Sequence, residues 1–136
     1  MKFSSSLESF KSSIQKNLIK KPVYYYVGKR FGQILHSRLR MNCSSLNQHL
    51  FLKNIVDSPR CHCGCIESTA HYLLQCNRYA VQRQIYLEPL FDNPLVTVDS
   101  LVFGSPELSI DRNIEIFLAV QSFIISSKRF DRLALP

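Results

Sequence analysis

The stretch 61–76, CHCGCIESTAHYLLQC, constrains this chain more than any other part of it. Cys61 and Cys63 stand one residue apart, His71 follows after seven more and Cys76 after a further four, so three thiols and one imidazole fall within sixteen residues. Thiolates and a neutral imidazole are the ligands that a tetrahedral zinc ion takes. Residues 61–66 read as a knuckle, because Gly64 gives the backbone the sharp turn that two converging sulfurs need. Cys61 and Cys63 are the first choice for the leading pair, with Cys65 the substitute and His62 a further candidate in the same stretch. The plainer alternative is a set of ordinary buried cysteines beside a lone histidine, since cysteine is often only a small core residue.

The second ligand pair is expected on a helix, with Ser68 as its N-cap and no breaker from Thr69 to Gln75. At about 100° per residue, His71 and Cys76 would diverge by about 140° on an unbroken α-helix. For both to reach one ion, the helix must fray or tighten near Gln75. Asn77, which tolerates a left-handed backbone, is the expected end.

With 136 residues the chain fits a single domain able to bury a conventional core. Three parts are expected within it: a basic helical part at 1–60, the knuckle at 61–76, and a helical part at 77–136 with a long C-terminal helix. Five cysteines are an odd count, and MKFSSSLESFKSS carries no apolar leader segment, so a reducing compartment, nucleus or cytoplasm, is expected. No apolar run reaches the roughly 18 residues of a membrane span, so a soluble protein is expected.

The charge is divided unevenly. Residues 1–60 hold eleven Lys and Arg against Glu8 and Asp57, a balance of +9, while residues 61–136 hold six against eight, a balance of −2. A surface that merely stays soluble mixes its signs; this segregation points to a polyanion partner, nucleic acid before anionic membrane.

In chain order, an amphipathic helix is expected over the N-terminal residues, with Leu7, Phe10, Ile14 and Leu18 on one stripe, ended by Pro22. Val23, Tyr24, Tyr25, Tyr26 and Val27 read as an extended segment closed by Gly28. Its tyrosines either stack on unpaired bases or line a core. A helix over 29–41 gathers Phe31, Ile34, Leu35 and Leu39 on one side, with Lys29, Arg30, Gln33, Ser37 and Arg40 opposite, a basic face suited to a phosphate backbone. Arg38 projects onto the apolar side, where a guanidinium needs a carboxylate, carbonyls or a phosphate. A helix over 46–55, capped by Ser44 or Ser45, is expected to be wedged between the basic helices and the knuckle. A metal at 61–76 would then clamp the basic part to the rest.

After the knuckle, 78–90 is helix-like, 95–98 and 100–103 are short apolar runs of undecided type, and 112–130 is a long, mostly apolar helix capped by Ser109 or Asp111. The expected fold is mainly α: a small helical domain with a Cys-Cys-His-Cys zinc knuckle and room for one or two short strands. The aspartates are scattered, and no paired carboxylates for magnesium, glycine-rich phosphate loop, nucleophile elbow or metalloprotease helix is present. A closed structural metal and no catalysis are therefore expected.

The runs His36-Ser-Arg-Leu-Arg40, Cys43-Ser-Ser-Leu-Asn-Gln-His-Leu-Phe, Asn54-Ile-Val-Asp-Ser-Pro, Cys61-His-Cys-Gly64, Glu67-Ser-Thr-Ala-His71 and Tyr72-Leu-Leu-Gln-Cys76 resemble the C-terminal region of non-LTR (LINE-type) retrotransposon polyproteins. That region follows the reverse transcriptase and carries a zinc-binding Cys-Cys-His-Cys element. The resemblance implies Cys61, Cys63, His71 and Cys76 as ligands and 36–40 as an element facing nucleic acid; Cys65 departs from the pattern. The family's polymerase and endonuclease lie outside this chain. The function expected is a nucleic-acid-binding accessory module for target-primed reverse transcription, with Lys20, Lys21, Lys29, Arg30, Arg38, Arg40 and Lys53 as candidate contacts. The alternative is a zinc-folded protein-interaction domain that docks on an acidic partner or on the rest of a reverse transcriptase.

Overall fold

The computed structural model describes residues 21–131. The expected N-terminal amphipathic helix and Lys20 lie outside the described residues. Among the described residues, five α-helices, α1 (Arg30–Arg40), α2 (Asn47–Leu52), α3 (Ala80–Tyr86), α4 (Val98–Phe103) and α5 (Ile110–Ser127), are joined by short 3-10 and π-helical turns. They share a core that runs from Tyr24 to Phe130. The fold is mainly helical, as the patterning implied, and among the described residues the extended pairing is a single bridge between Arg60 and Ile66. No helix among them is long and apolar enough to cross a membrane.

The centre of the fold is α5. The Ser109 hydroxyl caps it by accepting from the Arg112 amide at 3.1 Å, and Lys128 closes it in a left-handed conformation (φ 57°). It buries Ile116, Phe117, Val120, Phe123 and Ile124, whereas Leu118 and Ile125 stay partly exposed, so the helix is less fully enclosed than its composition suggested. The chain 23–26 is a 3-10 turn rather than the expected extended segment, because Tyr24 and Tyr25 both fold back onto Phe117. Gly28 is required after it: φ is +89°, and a Cβ there would overlap the Gln121 carboxamide, which donates to Val27 O at 3.1 Å.

Helix α1 lies on α5 through Gly32, Leu35, His36 and Leu39, an i, i+3, i+4, i+7 stripe. That stripe is rotated from the one expected, which gave no weight to a glycine and a histidine. The consequence reverses two arginines. Arg38 is exposed, while Arg40 turns inward, donates from Nε to Val102 O at 2.8 Å and lies 4.1 Å over the Tyr25 ring. The placement of Arg40 on the open basic face and of Arg38 on the apolar side is thus corrected.

His36 is buried beside Phe117 and hydrogen-bonded through Nε2 to Leu101 O at 2.8 Å. Burial, and then the Arg40 charge, lower its pKa to about 4. The unfolded ring, at about 6.5, takes up a proton first. The stability tied to the neutral ring is therefore complete above pH 6.5 and is lost as pH falls through about 4, roughly 3 kcal/mol in all. Denaturant titrations of the parent and His36→Gln across that window test this. The stability gap between them should shrink by that amount towards acid, and a gap independent of pH would refute it.

Three further expectations change. Helix α2 is shorter than 46–55 and is not wedged: Leu46 is buried, but Phe51, Leu52 and Ile55 are exposed. The region 78–90 divides into a 3-10 turn (Asn77–Tyr79), α3, and a 3-10 helix (Glu88–Asp92). The undecided runs at 95–103 yield α4, because Thr97 and Ser100 form a reciprocal capping box.

Candidate metal centre

The knuckle is closed by two backbone bonds, Cys61 N to Cys65 O at 2.7 Å and Gly64 N to Cys61 O at 2.9 Å, with Gly64 at φ +94°. Cys61 is buried and Cys63 exposed, and both contribute to one cluster. Opposite them, Ser68 caps the helix by accepting from the His71 amide at 3.1 Å. The residues His71–Gln75 then form a π-helical turn. The Cys76 amide donates five residues back to His71 O at 2.8 Å. The wider turn rotates less per residue, so five residues bring Cys76 back nearly over His71, and the divergence expected on an α-helix is removed by widening, not by fraying or tightening. Asn77 opens a 3-10 turn and is not left-handed.

The ligand atoms of Cys61, Cys63, His71 and Cys76 all lie within 4.8 Å of one another. The Cys61 and Cys76 sulfurs are 3.6 Å apart, and Cys63 Sγ is 3.2 Å from His71 Nε2. A tetrahedral ion bonded to sulfur and nitrogen at about 2.0–2.3 Å has edges of about 3.5–3.8 Å, so the four groups fit one metal ion. Cys65 and His62 are exposed and stand outside the cluster. The expected ligand set is therefore the one brought together, and the two substitutes are not needed.

Burial pushes the Cys61 thiol up, but hydrogen bonds from the Cys63 amide, His71, Cys76 and Arg78 outweigh it and bring it to about 6. Burial, with the neighbouring Cys61, pushes Cys76 up to about 11. Arg78 supplies the nearest cation, its Nη1 being 3.7 Å from Cys61 Sγ. His71 Nδ1 is buried without a hydrogen-bond partner among the described residues, so the ring is aimed by its helix and not by an acceptor behind it.

Three supporting residues escaped the sequence reading. Buried Arg83 donates to Leu73 O (2.7 Å), Tyr72 O (3.2 Å) and Cys76 O (2.9 Å), satisfying the carbonyls at the end of the π-turn. Its signal was a four-residue spacing from Tyr79 and to Leu87, both buried. His49 accepts from the Ser44 amide at Nδ1 and meets Thr69 Oγ1 at 3.4 Å, tying the turn before α2 to the ligand helix. Arg129 forks onto Glu67 at 2.8 and 2.9 Å, and the Asn47 amide donates to the same carboxylate at 2.7 Å. Glu67, not Ser44 or Ser45, thus caps α2.

The metal cluster does not act as a clamp between two separate lobes, because α1 packs directly on α5 and the Glu67–Arg129 pair already joins the knuckle to the end of α5. The candidate nucleic-acid contacts divide. Lys21, Arg30, Arg38 and Arg40 line one groove of about 380 Å³ together with Tyr25 and Tyr26, and no acid lines it. Lys29 lies beside a different cavity, near Tyr86 and Leu118, and Lys53 is exposed at the end of α2.

No family model, no characterised protein and no solved structure shows a significant match to this chain.

Proposed function

We propose that the chain is a zinc-stabilised, non-catalytic module that grips RNA or DNA, the accessory part of a non-LTR retrotransposon reverse transcriptase. Three thiolates and an imidazole are the donor set that favours zinc over harder cations. Four protein ligands leave a tetrahedral ion no open position for a substrate. Burial pushes the Glu67 carboxyl up, but Arg129 and the Asn47 amide outweigh it and hold it below the usual range as an engaged carboxylate, so the nearest acid is not a free base. The cluster's Cys-x-Cys…His…Cys spacing supports the retrotransposon origin.

One observation carries the binding role: Lys21, Arg30, Arg38 and Arg40 converge on a groove without acids, and none has a carboxylate partner among the described residues. Four cations on phosphates release counterions, so log K is expected to fall with log salt at a slope of about −3 on single strands and about −3.6 on duplex. Titrations of unrelated RNA and DNA at several salt concentrations measure it. Salt-insensitive or absent binding would reject the reading.

The exposed Phe51, Leu52 and Ile55 favour a second reading, in which the module docks on another protein through this tip. A pure docking module binds neither nucleic acid at moderate salt.

A further inference from the structure

Three tyrosines stand side by side at 24–26, and the core engages only two of them. Tyr24 is buried edge-on against Phe117, and Tyr25 stacks on Phe117 and donates its hydroxyl to Phe103 O at 3.2 Å. Tyr26 is 61 % exposed, and neither an aromatic neighbour nor a hydroxyl partner is seen for it among the described residues. Its backbone is nonetheless fixed, because Gln33 Nε2 donates to Tyr26 O at 3.0 Å and to Gly28 O at 2.7 Å. A bare ring is therefore presented on a rigid turn at the edge of the cationic groove.

Arg40 is held in the same groove. Its Nε is engaged by Val102 O and its Cζ lies 4.1 Å over the Tyr25 ring, so its position is set before any ligand arrives. The charge has no carboxylate partner among the described residues, although the side chain is partly buried. A partly desolvated guanidinium with ordered N–H groups and no counter-ion is matched by a phosphate.

Resting on the nucleic-acid reading above, we propose that this groove is a single-strand slot, in which Tyr26 stacks one unpaired base and Arg40 takes the adjoining phosphate. A paired base offers its face to Tyr26 only after it is unstacked, at a cost of a few kcal/mol.

Fluorescence anisotropy on the full chain, at one salt concentration, tests this with three probes of about ten nucleotides: oligo(U), an abasic phosphodiester strand, and a blunt duplex. The parent is expected to bind oligo(U) about tenfold more tightly than the abasic strand. Tyr26→Ala should remove that preference and leave abasic and duplex binding unchanged, while Tyr26→Phe keeps it. In the unmutated chain, the Arg40 side-chain N–H resonances should shift with both oligo(U) and the abasic strand. The slot is overturned if Tyr26→Ala leaves oligo(U) binding unaltered or weakens all three probes alike, or if the Arg40 resonances stay still. If none of the three probes binds, the nucleic-acid reading falls with it.

Discussion

Stripping the metal with a chelator, or replacing Cys76 by serine, is expected to unfold the knuckle and its ligand helix while α1 stays packed on α5. Cys76 is the ligand whose loss should cost most. It is 1 % exposed, and it ends the helix that also carries the fully buried Tyr72 and Leu73. Structural zinc in small finger peptides contributes about 10–16 kcal/mol of apparent binding energy, but this chain has a core of its own, so the expected loss is smaller, roughly 5 kcal/mol. Metal analysis should find one ion per chain in the parent and none in Cys76→Ser. Amide exchange should show protection lost first at Leu73 and Cys76 and retained longer at Leu35 and Val120. Parent-like melting of the variant would rule out a metal-dependent knuckle.

Arg129→Met is expected to cost about 3–5 kcal/mol, because it strands a buried carboxylate. Glu67 is 1 % exposed and, among the described residues, has besides Arg129 only the Asn47 amide on its carboxylate. Arg129 also donates to Ser45 O at 2.9 Å, so the one guanidinium holds the turn before α2 and the start of the ligand helix together. The double variant Glu67→Met with Arg129→Met should recover much of the loss, since a well-packed apolar pair needs no desolvated charge. Denaturant midpoints of the parent, both single variants and the double variant measure the coupling. Strictly additive effects would show that the pair is not the joint between knuckle and helix.

The metal cluster was legible in the sequence because its chemistry is local. Four ligands within sixteen residues, a glycine at the turn and a capping serine all act over a few bonds. Long periodic segments were legible for the same reason: the 112–130 expectation overlaps α5 closely, and of the two caps expected, Ser109 or Asp111, the structure uses Ser109. The failures lie where burial had to be assigned to a residue type that is ambiguous by composition. His36 and Gly32 look like surface or breaker residues, yet both sit on the buried stripe of α1, and giving them no weight rotated the whole face. That single misplacement exchanged Arg38 and Arg40. The tyrosine run read as extended because its residues favour strands, but two rings have more to gain from Phe117 than from a sheet that the fold does not contain.

The chain's order by itself determined the donor set, its spacing, and a mainly helical fold with positive charge concentrated ahead of the knuckle, all properties set by neighbours in sequence. Only the tertiary structure decided that the ligand helix widens by one residue per hydrogen bond, that Glu67 caps a helix twenty residues upstream, and which cations share a groove. Those outcomes depend on pairs far apart in the chain, such as Glu67 with Arg129 and Arg40 with Val102, and no periodicity encodes which distant carbonyl or carboxylate will satisfy a buried charge.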